Sequence, residues 1–167
     1  MFHTIKDFTG IWKQESDGTR KLLASLTDES LTQQVTDDHR TLGRIAWHIV
    51  LTLGELKDEL GLRIDCPKQG TPPPATAREI FDAYDKAAKS LADLVRSDWN
   101  DEKLQEDVVM YGEKVTYGYG LWNGLTHEIH HRGQMTILMR QAGLKVPGIY
   151  GPAYEEWVQY DKTPPVI

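Results

Sequence analysis

From Thr4 to Leu26 the apolar positions Ile5, Phe8, Trp12, Leu22, Leu23 and Leu26, with Thr19 among them, recur at steps of three and four. At about 3.6 residues per turn that spacing returns to one side of a helix, with Thr4 placed to cap its start and Asp7 three residues on. The polar segment TDESLTQQVTDDHR then breaks the pattern and predicts a link, with His39 facing solvent. A second stripe, Leu42, Ile45, Ile49, Leu53 and Leu56, predicts a helix from Thr41 to Leu60, closed by Gly61, where the lack of a Cβ suits the C-terminal turn. His48 falls on the margin of that stripe.

RIDCPKQGTPPPATAR reads as a linker whose end, Thr76-Ala77-Arg78-Glu79, is a capping-box pattern. Ile80, Tyr84, Ala87, Leu91 and Leu94 continue as a third amphipathic helix ending near Ser97, and its central alanines admit a close neighbour. Between Val108 and Tyr117 β-branched and aromatic residues flank Gly112, which predicts a short hairpin or an irregular insertion. Two strands alone are marginal in water, so this piece is expected to pack on the helices and to roof a pocket. The fourth helix runs from about Tyr119 to Gly143. Leu121, Leu125, Ile129 and Met139 spread round it, so it is buried on more than one side, either at the centre of a bundle or against another subunit. After turns at Pro147-Gly148 and Gly151-Pro152 comes a short helix from Tyr154 to Tyr160. Tyr150, Tyr154, Trp157 and Tyr160 make this tail aromatic and predict that it packs on the rest.

The pattern therefore predicts an all-α chain, a four-helix bundle with a short hairpin or irregular insertion before the last helix, and a single domain over 1–167. Composition keeps this a soluble globular protein, with 40% hydrophobic and 26% charged residues. No apolar run approaches the ~20 residues a membrane span needs, and the first residues lack a basic start followed by an apolar core. The expected location is cytoplasmic. A net charge of −6 with scattered Lys and Arg argues against nucleic acid as the main partner. The single cysteine, Cys66, permits no internal disulfide, and in a loop beside Pro67 it reads as a bystander thiol.

Chemistry concentrates in residues 127–134, HEIHHRGQ. His127 and His131 stand four apart, about 40° from each other on one helical face, so both imidazoles can point at one ion without bending the backbone. His130 lies to the other side and reads as an ordinary polar group. A stable site wants a third protein ligand, and in a bundle His48 from the second helix can meet the pair. Three histidines leave the remaining positions of an ion open to water or substrate, the arrangement of a catalytic metal site. Gln134 on the same face, and Glu128 beside His127, are the candidates for supporting a ligand or a bound water from behind. Imidazole ligands put zinc or nickel first, with iron, cobalt or manganese also compatible.

The same letters fit H-E-x-x-H, in which Glu128 would be the general base of a zinc hydrolase and Glu155 or Glu156 the downstream ligand. Against it, everything upstream except one hairpin is helical, and Glu128 stands at i, i+4 to Arg132, where a surface ion pair is its simpler role. Trp12, Tyr84, Tyr111 and Tyr117 are candidate pocket residues, and Arg44 and Arg132 candidate anion binders; the plainer readings are core aromatics and solvated charges.

HEIHHRGQ in the last helix, AWHI around His48 in the second and the four-helix length together resemble the DinB/YfiT-like four-helix metal-binding proteins. The resemblance covers most of the chain and implies an up-down-down-up bundle, usually a homodimer, with a divalent metal held by His48, His127 and His131. Several members of that family are transferases or isomerases using bacillithiol or mycothiol. The implied function is activation of a low-molecular-weight thiol for S-transfer to a small electrophile, with a hydrolase or a non-catalytic metal-binding protein as alternatives.

Overall fold

The computed structural model describes residues 1–166. Four long helices carry the fold: α1 (Ile5–Ala24), α2 (Leu42–Leu60), α3 (Ala77–Asp98) and α4 (Tyr117–Gln141). Each starts at a threonine in extended conformation, Thr4, Thr41, Thr76 or Thr116, whose side chain accepts a backbone N–H three residues on. Such a cap contributes about 1 kcal/mol and fixes where the helix begins. Thr76 and Glu79 close a reciprocal capping box, and Gly61 takes the left-handed turn after α2 at φ 66°. Helix α4 starts two residues before the expected Tyr119, because Thr116 captures the N–H of Tyr119.

Contacts along the helices give their directions. Trp12 Nε1 donates to the Ala88 carbonyl, Arg20 pairs with Asp85 and the Ile5 N–H reaches Asp101, so α1 and α3 are antiparallel. Phe2 meets Gly118, and Glu15 and Thr19 meet Arg132 and Glu128, so α1 and α4 run the same way. The linker after α2 returns along the bundle: Asp65 N–H bonds Ser90, Gln69 bonds the Leu51 carbonyl, and the Thr71 carbonyl accepts from Trp47 Nε1. That return places the start of α3 near the start of α2 and makes the two parallel. The result is the up-down-down-up bundle.

Strands β1 (Asp107–Met110) and β2 (Glu113–Thr116) form an antiparallel hairpin with Asp107 opposite Thr116. Its two-residue turn has Tyr111 at φ 52° and Gly112 at φ 84°. The positive φ at Tyr111 is offset by Glu59, which accepts its N–H, and Glu55, which accepts its hydroxyl. The hairpin packs Met110 against the start of α4 and the end of α2.

Helices α2 and α4 approach closely at Gly120 and Gly124. A Cβ at Gly124 would lie 2.5 Å from Leu56 Cδ1, and one at Gly120 2.7 Å from Leu60 Cδ2. Helix α4 thus packs on α2 and α1 and keeps an outer stripe, Trp122, His130, Gly133 and Ile137, exposed rather than filling the centre. The tail differs from expectation. Its 3-10 helix, Tyr154–Tyr160, buries no residue, and Tyr154 and Tyr160 are exposed. The tail is held ahead of that helix, by Val146 and Ile149 against the core, and by polar contacts, Tyr150 through its hydroxyl and Glu155 through Arg140.

Candidate metal centre

The close α2–α4 contact brings His48 to the pair on α4. One ligand atom from each of His48, His127 and His131 lies within 4.8 Å of the others, and Nε2 of His127 is 3.0 Å from Nε2 of His131. The three rings stand edge to face, centroids 4.5 to 5.3 Å apart. His131 is buried and the other two are half-buried.

Gln134 sets the tautomer. Its amide nitrogen is 3.0 Å from His130 Nε2 and its carbonyl oxygen 2.8 Å from His131 Nδ1. The amide N–H donates to His130, so the carbonyl faces His131 and accepts from Nδ1–H. Nε2 of His131 is then the lone-pair nitrogen, aimed at the other two rings. Gln134 thus holds His131 by the ring nitrogen opposite the one that faces His127. His130, set aside as a ligand, orients the glutamine.

Burial holds the pKa of all three histidines down. That of His48 is pushed to about 4 by desolvation first, then by His131 and Arg40. For His127 desolvation also dominates, against a raising effect of Glu55, and for His131 the hydrogen bond to Gln134 partly opposes it. Three neutral imidazoles, each with a ring nitrogen within 4.8 Å of the others', suit a divalent ion, because protonated rings would repel one another at these positions.

Glu128 does not support these ligands, and the expectation of a surface pair with Arg132 is also corrected. Its side chain is 1% exposed and turns toward α1 and α3, where Thr19 Oγ1 donates at 2.5 Å and Tyr84 Oη at 2.6 Å. Arg132 is buried too. It pairs with Glu15 and donates to the Glu15 carbonyl at 2.6 Å, and Tyr150 Oη donates to Glu15 at 2.6 Å. The i, i+4 rule presumes a solvated face, whereas this side of α4 lies against α1. The hydrolase alternative loses its other acids as well: Glu155 pairs with Arg140, and Glu156 accepts the N–H groups of Gly148 and Ala153.

Beside His131 and Gln134 opens a cleft of about 480 Å³, walled by Ile45, Ile137 and Leu138 and edged by Asp38, His39 and Arg40. None of Trp12, Tyr84, Tyr111 or Tyr117 lines it. Trp12 and Tyr84 are core residues, Tyr117 packs on Trp99, and Tyr111 sits at the hairpin turn. The hairpin therefore does not roof this cleft. His39 is exposed, as its place in the polar link predicts; Arg40 falls in the same aperiodic link, where its only signal is proximity to the start of α2. Cys66 is half-buried, its thiol pushed up by burial and away from nucleophilic use.

The sequence model of the DinB family matches residues 1–163. The uncharacterised protein YrdA of Bacillus subtilis is 45% identical over 165 residues, 99% of both chains. A DinB-like protein from Bacillus cereus, known from its crystal structure, superposes with a TM-score of 0.87 at 40% identity, covering 90% of this chain and 100% of that one. A second DinB-like crystal structure, YjoA of Bacillus subtilis, superposes with a TM-score of 0.63 at 19% identity over 89% of this chain and 96% of that one, a likeness of fold.

Proposed function

The chain belongs to the DinB family, and from that premise we propose that it holds a divalent metal ion on His48, His127 and His131 and uses it to activate a small thiol for transfer to an electrophile. The convergence of three neutral imidazoles, one of which, His131, lines an open cleft, carries this reading. A bound divalent ion supplies Lewis acidity, lowering the pKa of a thiol so that its nucleophilic form is available near neutral pH.

The chain's own residues do the rest. His48 on α2 and the pair on α4 fix the donor positions through helices locked together at Gly120 and Gly124. Gln134 keeps the lone pair of His131 turned inward. Ile45, Ile137 and Leu138 give the reacting end of a substrate an apolar wall that limits competing water. Elemental analysis of the purified protein, followed by assay of the metal-loaded form against a panel of thiols and electrophiles, tests the proposal. It fails if no conjugation is accelerated, or if His48→Ala leaves the metal content unchanged.

A second reading, that the ion is a staple, is favoured by its ligands coming from two helices. It predicts a gain in stability on metal loading with no turnover.

A further inference from the structure

The cleft beside the histidines is apolar along its walls and charged at its edge. Ile45, Ile137 and Leu138 line it together with the buried His131 and the exposed residues 38–40. His39 is engaged by Thr36. Arg40, like Arg44 and Arg63, makes no ion pair or side-chain hydrogen bond among the described residues, whereas Arg20, Arg78, Arg96, Arg132 and Arg140 are each paired; of the three, only Arg40 lines the cleft. Its charge also reaches His48, His127 and His131. Arg44, one turn before His48 on the same side of α2, adds a second exposed cation. In a chain of net charge −6, this edge offers a guanidinium fork to an anion at the end of a short apolar cleft. Asp38 shares the edge, and a single negative charge meets less repulsion from it than a phosphate dianion would.

We propose that Arg40 is the specificity determinant of this cleft, which takes a small mercapto-carboxylic acid with its thiol at the histidines, its chain along Ile45, Ile137 and Leu138, and its carboxylate on Arg40. The proposal rests on the metal reading above and adds the substrate class. A carboxylate on one side of the molecule and a thiol on the other gives two-point recognition, so the carboxylate governs affinity and leaves the donor set untouched.

The test compares 3-mercaptopropionate with its neutral amide, 3-mercaptopropanamide, on cobalt(II)-loaded protein, following thiolate-to-cobalt absorption at low ionic strength. The acid is expected to bind about tenfold more tightly than the amide, as a charge-assisted hydrogen bond at an exposed site allows. Arg40→Gln should abolish that preference while cobalt content and affinity for the amide stay as in the parent. Asp38→Asn should enlarge it, a change of opposite sign at an exposed position without side-chain bonds. Added salt should shrink it. Equal affinity for acid and amide in the parent protein, or a preference that survives Arg40→Gln, overturns the proposal. If cobalt is bound and neither thiol changes the spectrum, the thiol reading itself fails and the substrate class falls with it.

Discussion

Gln134 binds His130 with one end of its amide and His131 with the other, so removing it frees a ligand ring to rotate and to protonate on either nitrogen. Gln134→Leu is expected to weaken metal binding by about 10- to 100-fold, and His130→Ala less, since it only orients the amide; competition titration against a chromophoric chelator measures both. Loss of His48, His127 or His131 to alanine should each empty the site on elemental analysis. The protonation of His48 gives a pH dependence. Its pKa lies near 4 in the fold against an ordinary 6.5, so between those values the unfolded chain binds more protons than the native one. Stability of the metal-free protein therefore falls as pH drops from 6.5 toward 4, and this contribution is flat above. Glu128, whose pKa burial raises, acts in the opposite direction. The informative quantity is thus the difference between parent and His48→Gln in urea denaturation across that range; a pH-independent difference refutes the assignment. The triad was legible because i, i+4 spacing is local and the bundle leaves few faces for His48. Arg40 was not, because its place depends on where an aperiodic link closes over α4.

The starts of α1 and α3 and the end of α2 were legible through Thr4, Thr76 and Gly61, which act over three or four residues, whereas Thr116, at the end of the hairpin segment, did not read as the cap of α4. What the periodic pattern did not disclose was that α4 carries a polar network on its inner side, since Glu128 and Arg132 look like surface charges until α1 is placed against them. There Arg132 and Glu15 are 3% and 7% exposed in their side chains. Breaking a buried pair leaves one charge without its counter-ion, so Arg132→Met is expected to cost about 3 to 5 kcal/mol in chemical denaturation. Tyr150→Phe, which removes the two hydrogen bonds of an exposed ring's hydroxyl, one donated to Glu15 and one accepted from Arg132, leaves the ion pair itself in place and should cost less, roughly 1 to 3 kcal/mol. Similar losses for the two variants would mean that the ion pair carries little of the α1–α4 contact. The opposite side of α4 is governed by shape. At Gly124 a methyl group collides with Leu56, whose side chain is buried, so Gly124→Ala forces α2 and α4 apart despite alanine's better helix propensity. Because His48 and His127 sit across that same contact, metal affinity should fall along with stability, and an unchanged affinity would show that the donors tolerate helix separation.

At the scale of the whole molecule, the long return of residues 61–76 makes α2 and α3 parallel and sets α2 beside α4. A ligand set split between helices far apart in sequence does not survive unfolding as a unit. An ion that binds the native site and not the unfolded chain stabilises by RT ln(1 + [L]/Kd), ~4 kcal/mol at a thousandfold excess over Kd. For a chain of this length each kcal/mol moves Tm by ~2–4 °C, so saturating zinc or nickel is expected to raise Tm by about 8 to 16 °C. A chelator should reverse the rise, and His48→Ala should abolish it even with His127 and His131 intact. A shift retained in that variant would place the ion on α4 alone and remove the bridge between helices. The catalytic and staple readings both require the shift, so it tests the bridge they share; only turnover in the same metal-loaded sample separates them.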